Sequence, residues 1–220
     1  SPIYKQQVTL ENEILSLPIT LEKAFSDENI IINPSCKKVY SGKNYPSYVS
    51  GSEANGSSGG PYAVNEPHVS MSEFSDVDKY NDACFVVIGR TSGEGREYFP
   101  GQNGILDKND GSKSALNLSD NERNLIKEAH KMSDKVIVLI NSAVAMEIDE
   151  LKADTELSEM VDSILWIGLP GSYGLRGMGR VISGKASPSG CLPDTYAVDF
   201  SSSPAAMNFG VTAQNGQKFS

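Results

Sequence analysis

The 220-residue sequence predicts an α/β sandwich, a mostly parallel sheet of six or a similar number of strands with helices on both faces. Three observations carry that expectation. Cys84-Phe85-Val86-Val87-Ile88-Gly89 and Val136-Ile137-Val138-Leu139-Ile140 are unbroken apolar runs with no polar alternation, as in strands covered on both sides. Between them, Leu125, Ile126, Ala129 and Met132 recur on one face of a helix. The strand-then-helix order returns over residues 164–182, and alternation at this spacing implies right-handed crossovers between parallel strands.

Taken in order, Leu17-Pro18-Ile19-Thr20 precedes Leu21, Ala24 and Phe25, a spacing that suits a short amphipathic helix with proline near its start. Ile30-Ile31-Ile32 is β-branched and reads as a strand ended by the turn residues Asn33-Pro34-Ser35. Over 40–67 the texture changes to Gly and Ser clusters flanked by Tyr45, Tyr48 and Tyr62, which predicts a long loop, either a binding loop or a solvated one. Ser119-Asp120-Asn121-Glu122 has the form of a capping box and starts the helix between the two core strands. Met146, Ile148 and Leu151 suggest a helical turn or two before Ile164-Leu165-Trp166-Ile167, the third core strand. Leu175, Met178 and Ile182 fit one stripe of a helix that Gly184 terminates. The expected organisation is thus a single domain over 1–220, with a lead-in segment at 1–25, the long loop at 40–67, and a tail or linker at 208–220.

Composition bounds the function. Nineteen Lys and Arg against 28 Asp and Glu leave a formal charge of -9, which repels polyanions and argues against nucleic acid as a partner. No apolar stretch approaches the roughly 20 residues needed to cross a bilayer, so no membrane association is expected. Cys36, Cys84 and Cys191 are odd in number and widely spaced, against a disulfide framework or a structural zinc. Cys84, opening an apolar run, reads as a small buried hydrophobe. With no signal-peptide run behind Ser1, a cytoplasmic location is favoured. His68 and His130 stand alone, so neither a metal nor a cofactor is expected.

In an open α/β sheet, ligands gather at the carboxyl ends of the strands. Three loops qualify: the one at 90–96, Asn141-Ser142-Ala143, and Pro170-Gly171-Ser172-Tyr173-Gly174. The first is the most informative, because Glu94 stands between Gly93 and Gly95, where backbone can approach a substrate closely. By itself a Gly-Glu-Gly triplet reads better as a surface turn with a solvated Glu. A phosphate-cradling loop is a poorer reading, since neither G-x-G-x-x-G nor a G-K-[ST] ending is present.

Val87-Ile88-Gly89-Arg90-Thr91-Ser92-Gly93-Glu94-Gly95 closely resembles the strand and loop in the second domain of family 3 glycoside hydrolases of the β-glucosidase type. The landmarks beyond it follow the family's order: Leu118-Ser119-Asp120, then Lys135 through Asn141, Val161-Asp162-Ser163-Ile164-Leu165-Trp166, Pro188-Ser189-Gly190 and Leu192-Pro193-Asp194-Thr195. Glu11-Asn12-Glu13 and Leu17-Pro18-Ile19 are similar to the segment leading into this domain. The resemblance implies that Glu94 is the acid/base carboxylate of a retaining glycosidase. It implies that the nucleophile lies on a (β/α)8 barrel, which nothing in these residues resembles, so the chain alone is expected to be inactive. Arg90 and Ser92, in the same loop, are candidate substrate contacts. The implied ligand is a β-linked glucoside or related oligosaccharide, and the implied partner is the barrel of the same polypeptide.

The chain also departs from the family pattern. Arg96-Glu97 stands where an Asp-Arg pair is frequent, Ser172-Tyr173 where Gln-Glu is usual, Arg180 where Asp is usual, and Cys191 where Lys or Arg is common. These changes are compatible with a divergent subgroup in which the domain order is reversed. A competing reading is a non-catalytic module that binds sugar or a partner domain through the tyrosines of 40–62. A flavodoxin-like nucleotide binder shares the sheet but lacks a phosphate loop.

Overall fold

A computed structural model of the chain describes residues 8–10, 13–15, 19–42, 66–90, 105–107, 110–114, 116–153, 155–202 and 204. Strands β1 (Val8–Leu10) and β2 (Glu13–Leu15) pair antiparallel ahead of two helices, α1 (Leu21–Asp27) and α2 (Pro34–Gly42). The central sheet follows as β3 (Cys84–Arg90), and β4 (Ile105–Asp107) and β5 (Asp110–Ser114) form a separate antiparallel pair. Helix α3 (Asp120–Met132), β6 (Val136–Ser142), β7 (Ser163–Trp166) and α4 (Leu175–Ile182) complete the order. Among the described residues the central sheet is three-stranded, in the order β3-β6-β7, and parallel throughout.

The period of two along β6 explains the layers. Val136, Val138 and Ile140 join Val86 and Ile88 of β3 in one apolar core, against Ile126 and Ala129 of α3. The intervening Leu139, with Ile137, Phe85 and Leu165, faces a second core built from Ala24 and Phe25 of α1 and Met178 of α4. Both faces of the sheet are therefore covered by helices, which is the sandwich that the unalternating apolar runs imply. Each side chain sealed in this way contributes roughly 1.5–3 kcal/mol of transfer free energy.

Local chemistry sets the element ends. Ser119 accepts from the Glu122 backbone N–H while Glu122 accepts from that of Ser119, the reciprocal capping box expected for α3. Gly184, at φ 75°, ends α4 in the left-handed region that favours glycine. Gly179 lets α4 lie directly on α1, since a Cβ there would stand 2.6 Å from the Ala24 carbonyl oxygen.

Two expectations are corrected. Residues 30–32 form no strand; Ile31 is 78% exposed, while Ile30 and Ile32 lean on the α1–α4 core. Asn29 takes a left-handed φ of 60° and the Ile30 N–H bonds back to the Phe25 carbonyl, so α1 closes and only a short connection remains. Asn33-Pro34-Ser35 then starts a helix instead of ending a strand. The Asn33 Oδ1 accepts from the Ser35 backbone at 2.9 Å, and Pro34 occupies the first helical position, where a missing N–H costs nothing. Helix α2 runs on through Gly42, past the loop start expected at Tyr40; residues 43–65 lie outside the described residues, as does the tail at 208–220.

Candidate active-site edge at the carboxyl ends of the strands

The ladder register places Arg90 of β3 opposite Ser142 of β6, and Ile140 opposite Trp166 of β7, so the three strands finish at one edge of the sheet. There the second and third candidate loops are tied together. Asn141 Nδ2 donates to the Gly168 carbonyl at 2.6 Å, and Trp166 Nε1 donates to that of Ser142 at 2.8 Å. The fully buried Ser142 hydroxyl donates to the Val144 carbonyl and accepts from the Val144 N–H, turning the chain sharply after β6. Ser172, in the third loop, accepts through its carbonyl from the Ile19 N–H at 2.6 Å, which fastens this loop to the lead-in of α1.

The first loop leaves the sheet at Arg90. Glu94 and Ser92 lie outside the described residues. Arg90 is 1% exposed, and its guanidinium faces inward against Glu122 of α3. Nη1 donates to Oε1 at 2.6 Å and Nη2 to Oε2 at 2.8 Å, the two-pronged geometry that Arg and a carboxylate favour. Nη1 also donates to the Gly89 carbonyl and Nη2 to that of Asn117, each at 2.8 Å. A substrate hydroxyl approaching Nη1 or Nη2 would compete with these partners.

Glu66, which the sequence did not single out, stands in the same corner. It is half-buried, accepts from the Tyr40 hydroxyl at 2.8 Å, and its carbonyl accepts from Asn121 Nδ2. Burial pushes its carboxyl up to about 7; the Tyr40 bond opposes this and the Glu122 charge adds to it. Glu122 was legible as a cap, but its second role as the counter-charge of Arg90 is a pairing across 32 residues that no local pattern announces.

Elsewhere, a cavity of about 1070 Å³ runs along β7 and α4, with Leu165, Trp166, Met178, Leu192 and Tyr196 in its wall. Arg90 does not line it. Its Asp162 carboxylate is engaged by the Val136 N–H at 2.8 Å. Of the thiols, Cys84 packs against the α3-side core, and burial pushes it up to about 11, which keeps it protonated and unreactive. No group of three or more His, Cys, Asp or Glu able to hold a metal occurs among the described residues.

Comparison with known proteins converges on one family. A β-glucosidase of Ruminococcus albus is 26% identical over 154 residues, covering 69% of this chain and 14% of that protein. β-Glucosidase 1 of Aspergillus aculeatus is 29% identical over 138 residues, covering 63% of this chain and 15% of that protein. The chain thus spans only a small part of the relatives it matches. A solved β-glucosidase structure from Paenibacillus barengoltzii superposes with a TM-score of 0.70 over 89% of this chain and 20% of that one, at 21% identity, and shares the fold. The model of the glycosyl hydrolase family 3 C-terminal domain matches residues 7–219, and the chain belongs to that family.

Proposed function

We propose that residues 1–220 form the α/β domain of a larger retaining glycoside hydrolase of the β-glucosidase type, and that Glu94 is its general acid/base. The observation that supports this most is positional. Ser92-Gly93-Glu94-Gly95 begins two residues after Arg90, the last residue of β3, in a chain matched to the family over nearly its whole length. Carboxyl ends of parallel strands are where such sheets present functional loops.

A retaining glycosidase needs two carboxyl groups roughly 5–5.5 Å apart. One attacks the anomeric carbon. The other protonates the departing oxygen and then takes a proton from water as the glycosyl-enzyme is hydrolysed. Glu94 fills the second role in this reading, and a (β/α)8 barrel of the same polypeptide supplies the first. Burial against the sugar and the nearby anionic nucleophile both raise the Glu94 pKa toward the working pH once the site is assembled. Ser92 contributes a substrate contact from the same loop. The substrate is a β-linked glucoside or a related oligosaccharide, and the chain without its barrel hydrolyses nothing.

The test is Glu94→Gln in the full-length enzyme, assayed on an aryl β-glucoside and a natural disaccharide. A general acid/base contributes about 10²- to 10⁴-fold, so a loss of that order is expected on the disaccharide, whose leaving group needs protonation. Activity within about twofold of wild type on both substrates removes Glu94 from the mechanism. Measurable glucose or cellobiose affinity in the isolated domain, together with that result, would favour the non-catalytic binding module.

A further inference from the structure

We infer that the buried Arg90–Glu122 pair is a positioning device for Glu94, holding together the end of β3, Asn117 and the start of α3. The inference rests on the reading of Glu94 given above. Arg90 is the last residue of β3, and Leu116, 4% exposed, and Leu118, fully buried, lead into α3. Arg90 connects the two. Its Nη2 donates to the Asn117 carbonyl and to Glu122 Oε2, while Nη1 holds Glu122 Oε1 and the Gly89 carbonyl. Glu122 Oε2 also accepts from the Ser119 N–H at 2.8 Å, so the same carboxylate fixes the start of α3. One ion pair therefore sets the strand end, Asn117 and the helix start relative to one another.

A pair of well-packed apolar side chains would hold these elements at least as firmly, because removing two charges from water is costly. What the guanidinium–carboxylate fork adds is direction: two parallel hydrogen bonds admit one orientation, whereas apolar contacts admit many. Glu94 follows Arg90 by four residues. Displacement of a reacting group by about 1 Å can cost about 10²-fold in rate, which makes the orientation of the loop root a catalytic variable.

The experiment compares Arg90→Lys, Glu122→Gln and Glu94→Gln in the full-length enzyme, each normalised to active sites titrated with a mechanism-based fluoroglucoside. Lys keeps the charge of Arg90 but loses its fork; Gln keeps the shape of Glu122 but loses its charge. The readout is kcat/KM for cellobiose, whose leaving group needs protonation, against that for 2,4-dinitrophenyl β-glucoside, whose leaving group does not. A misplaced general acid is expected to lower the first by about 10- to 100-fold and the second by less than about threefold. Arg123→Gln, which breaks the pairs that Arg123 of the same helix makes with Glu150 and Asp120, is the control and should change neither by more than about twofold.

Equal losses on both substrates would show that the pair only maintains the fold, and no loss would show that it does not matter; either overturns the inference. So would the same substrate dependence in Arg123→Gln. If Glu94→Gln shows the dependence and the pair variants do not, only the positioning role falls. If Glu94→Gln lacks it, the acid/base reading falls and takes the positioning role with it. Should Arg90→Lys fail to fold, Glu122→Gln carries the test.

Discussion

Two arginine–carboxylate pairs issue from neighbouring positions of α3 and differ mainly in what surrounds them. Arg90 and Glu122 meet at 2.6 and 2.8 Å with side chains 0% and 5% exposed. Arg123 and Glu150 meet at 2.7 and 3.0 Å, with both side chains 28% exposed. The hydrogen-bond geometry is nearly the same, and the dielectric is not. Inside, each charge depends on the other because water cannot take its place; outside, solvent screens the attraction and stands ready to replace either partner. Equal distances therefore conceal unequal obligations.

The contrast is sharpest when one partner is removed. Arg90→Met leaves the Glu122 carboxylate buried without its cation, and a loss of roughly 3–5 kcal/mol in unfolding free energy is expected from urea denaturation. The double variant Arg90→Met/Glu122→Leu should recover most of that loss, since the penalty belongs to the orphaned charge and not to the missing pair. A double variant as unstable as the single one would show that the hydrogen bonds to Gly89, Asn117 and Ser119 dominate instead.

Glu66 offers an intermediate case, a carboxyl in the same corner whose partner is the neutral Tyr40. Its pKa lies near 7 in the fold against an ordinary 4.5, chiefly through burial. Between those values the native state retains a proton that the unfolded chain has released, so stability falls as pH rises through that window. Glu66→Gln keeps an acceptor for Tyr40 and removes the titration. Relative to the variant, the wild type should lose about 1 kcal/mol between pH 5 and pH 8, a value discounted for solvent access. Parallel pH profiles would place the Glu66 titration outside the window. The smallest effect is expected for Arg123→Gln, below about 1 kcal/mol and weaker still in high salt. A larger, salt-insensitive loss would erase the distinction between the two pairs.

The sequence made the middle of this fold easy to see and its corners hard. Runs such as Val136 through Ile140 point to a strand covered on both faces, because they are short, apolar and rich in β-branched residues, and the Ser119–Glu122 box announces a helix start from four adjacent positions. Ile30-Ile31-Ile32 misled for a physical reason: β-branched residues favour extended backbone, but a strand also needs a neighbour, and α1 and α2 leave none beside it. Glu94 was singled out through its motif and its place after an apolar strand, and it lies outside the described residues. The inward turn of Arg90 was not, since its partners Asn117 and Glu122 lie 27 and 32 residues away and pair through tertiary contact alone.

The Tyr40–Glu66 hydrogen bond joins residues 26 apart in sequence, and the Arg90–Asn117 bond joins residues 27 apart. Closing a span of chain costs free energy that grows only with the logarithm of its length, about 0.6 kcal/mol for a doubling. With Tyr40 held to Glu66 and Arg90 to Asn117, insertions or deletions between these points would barely alter how tightly the scaffold holds. Evolution could thus rewrite the sequence between these points while leaving the underlying architecture untouched.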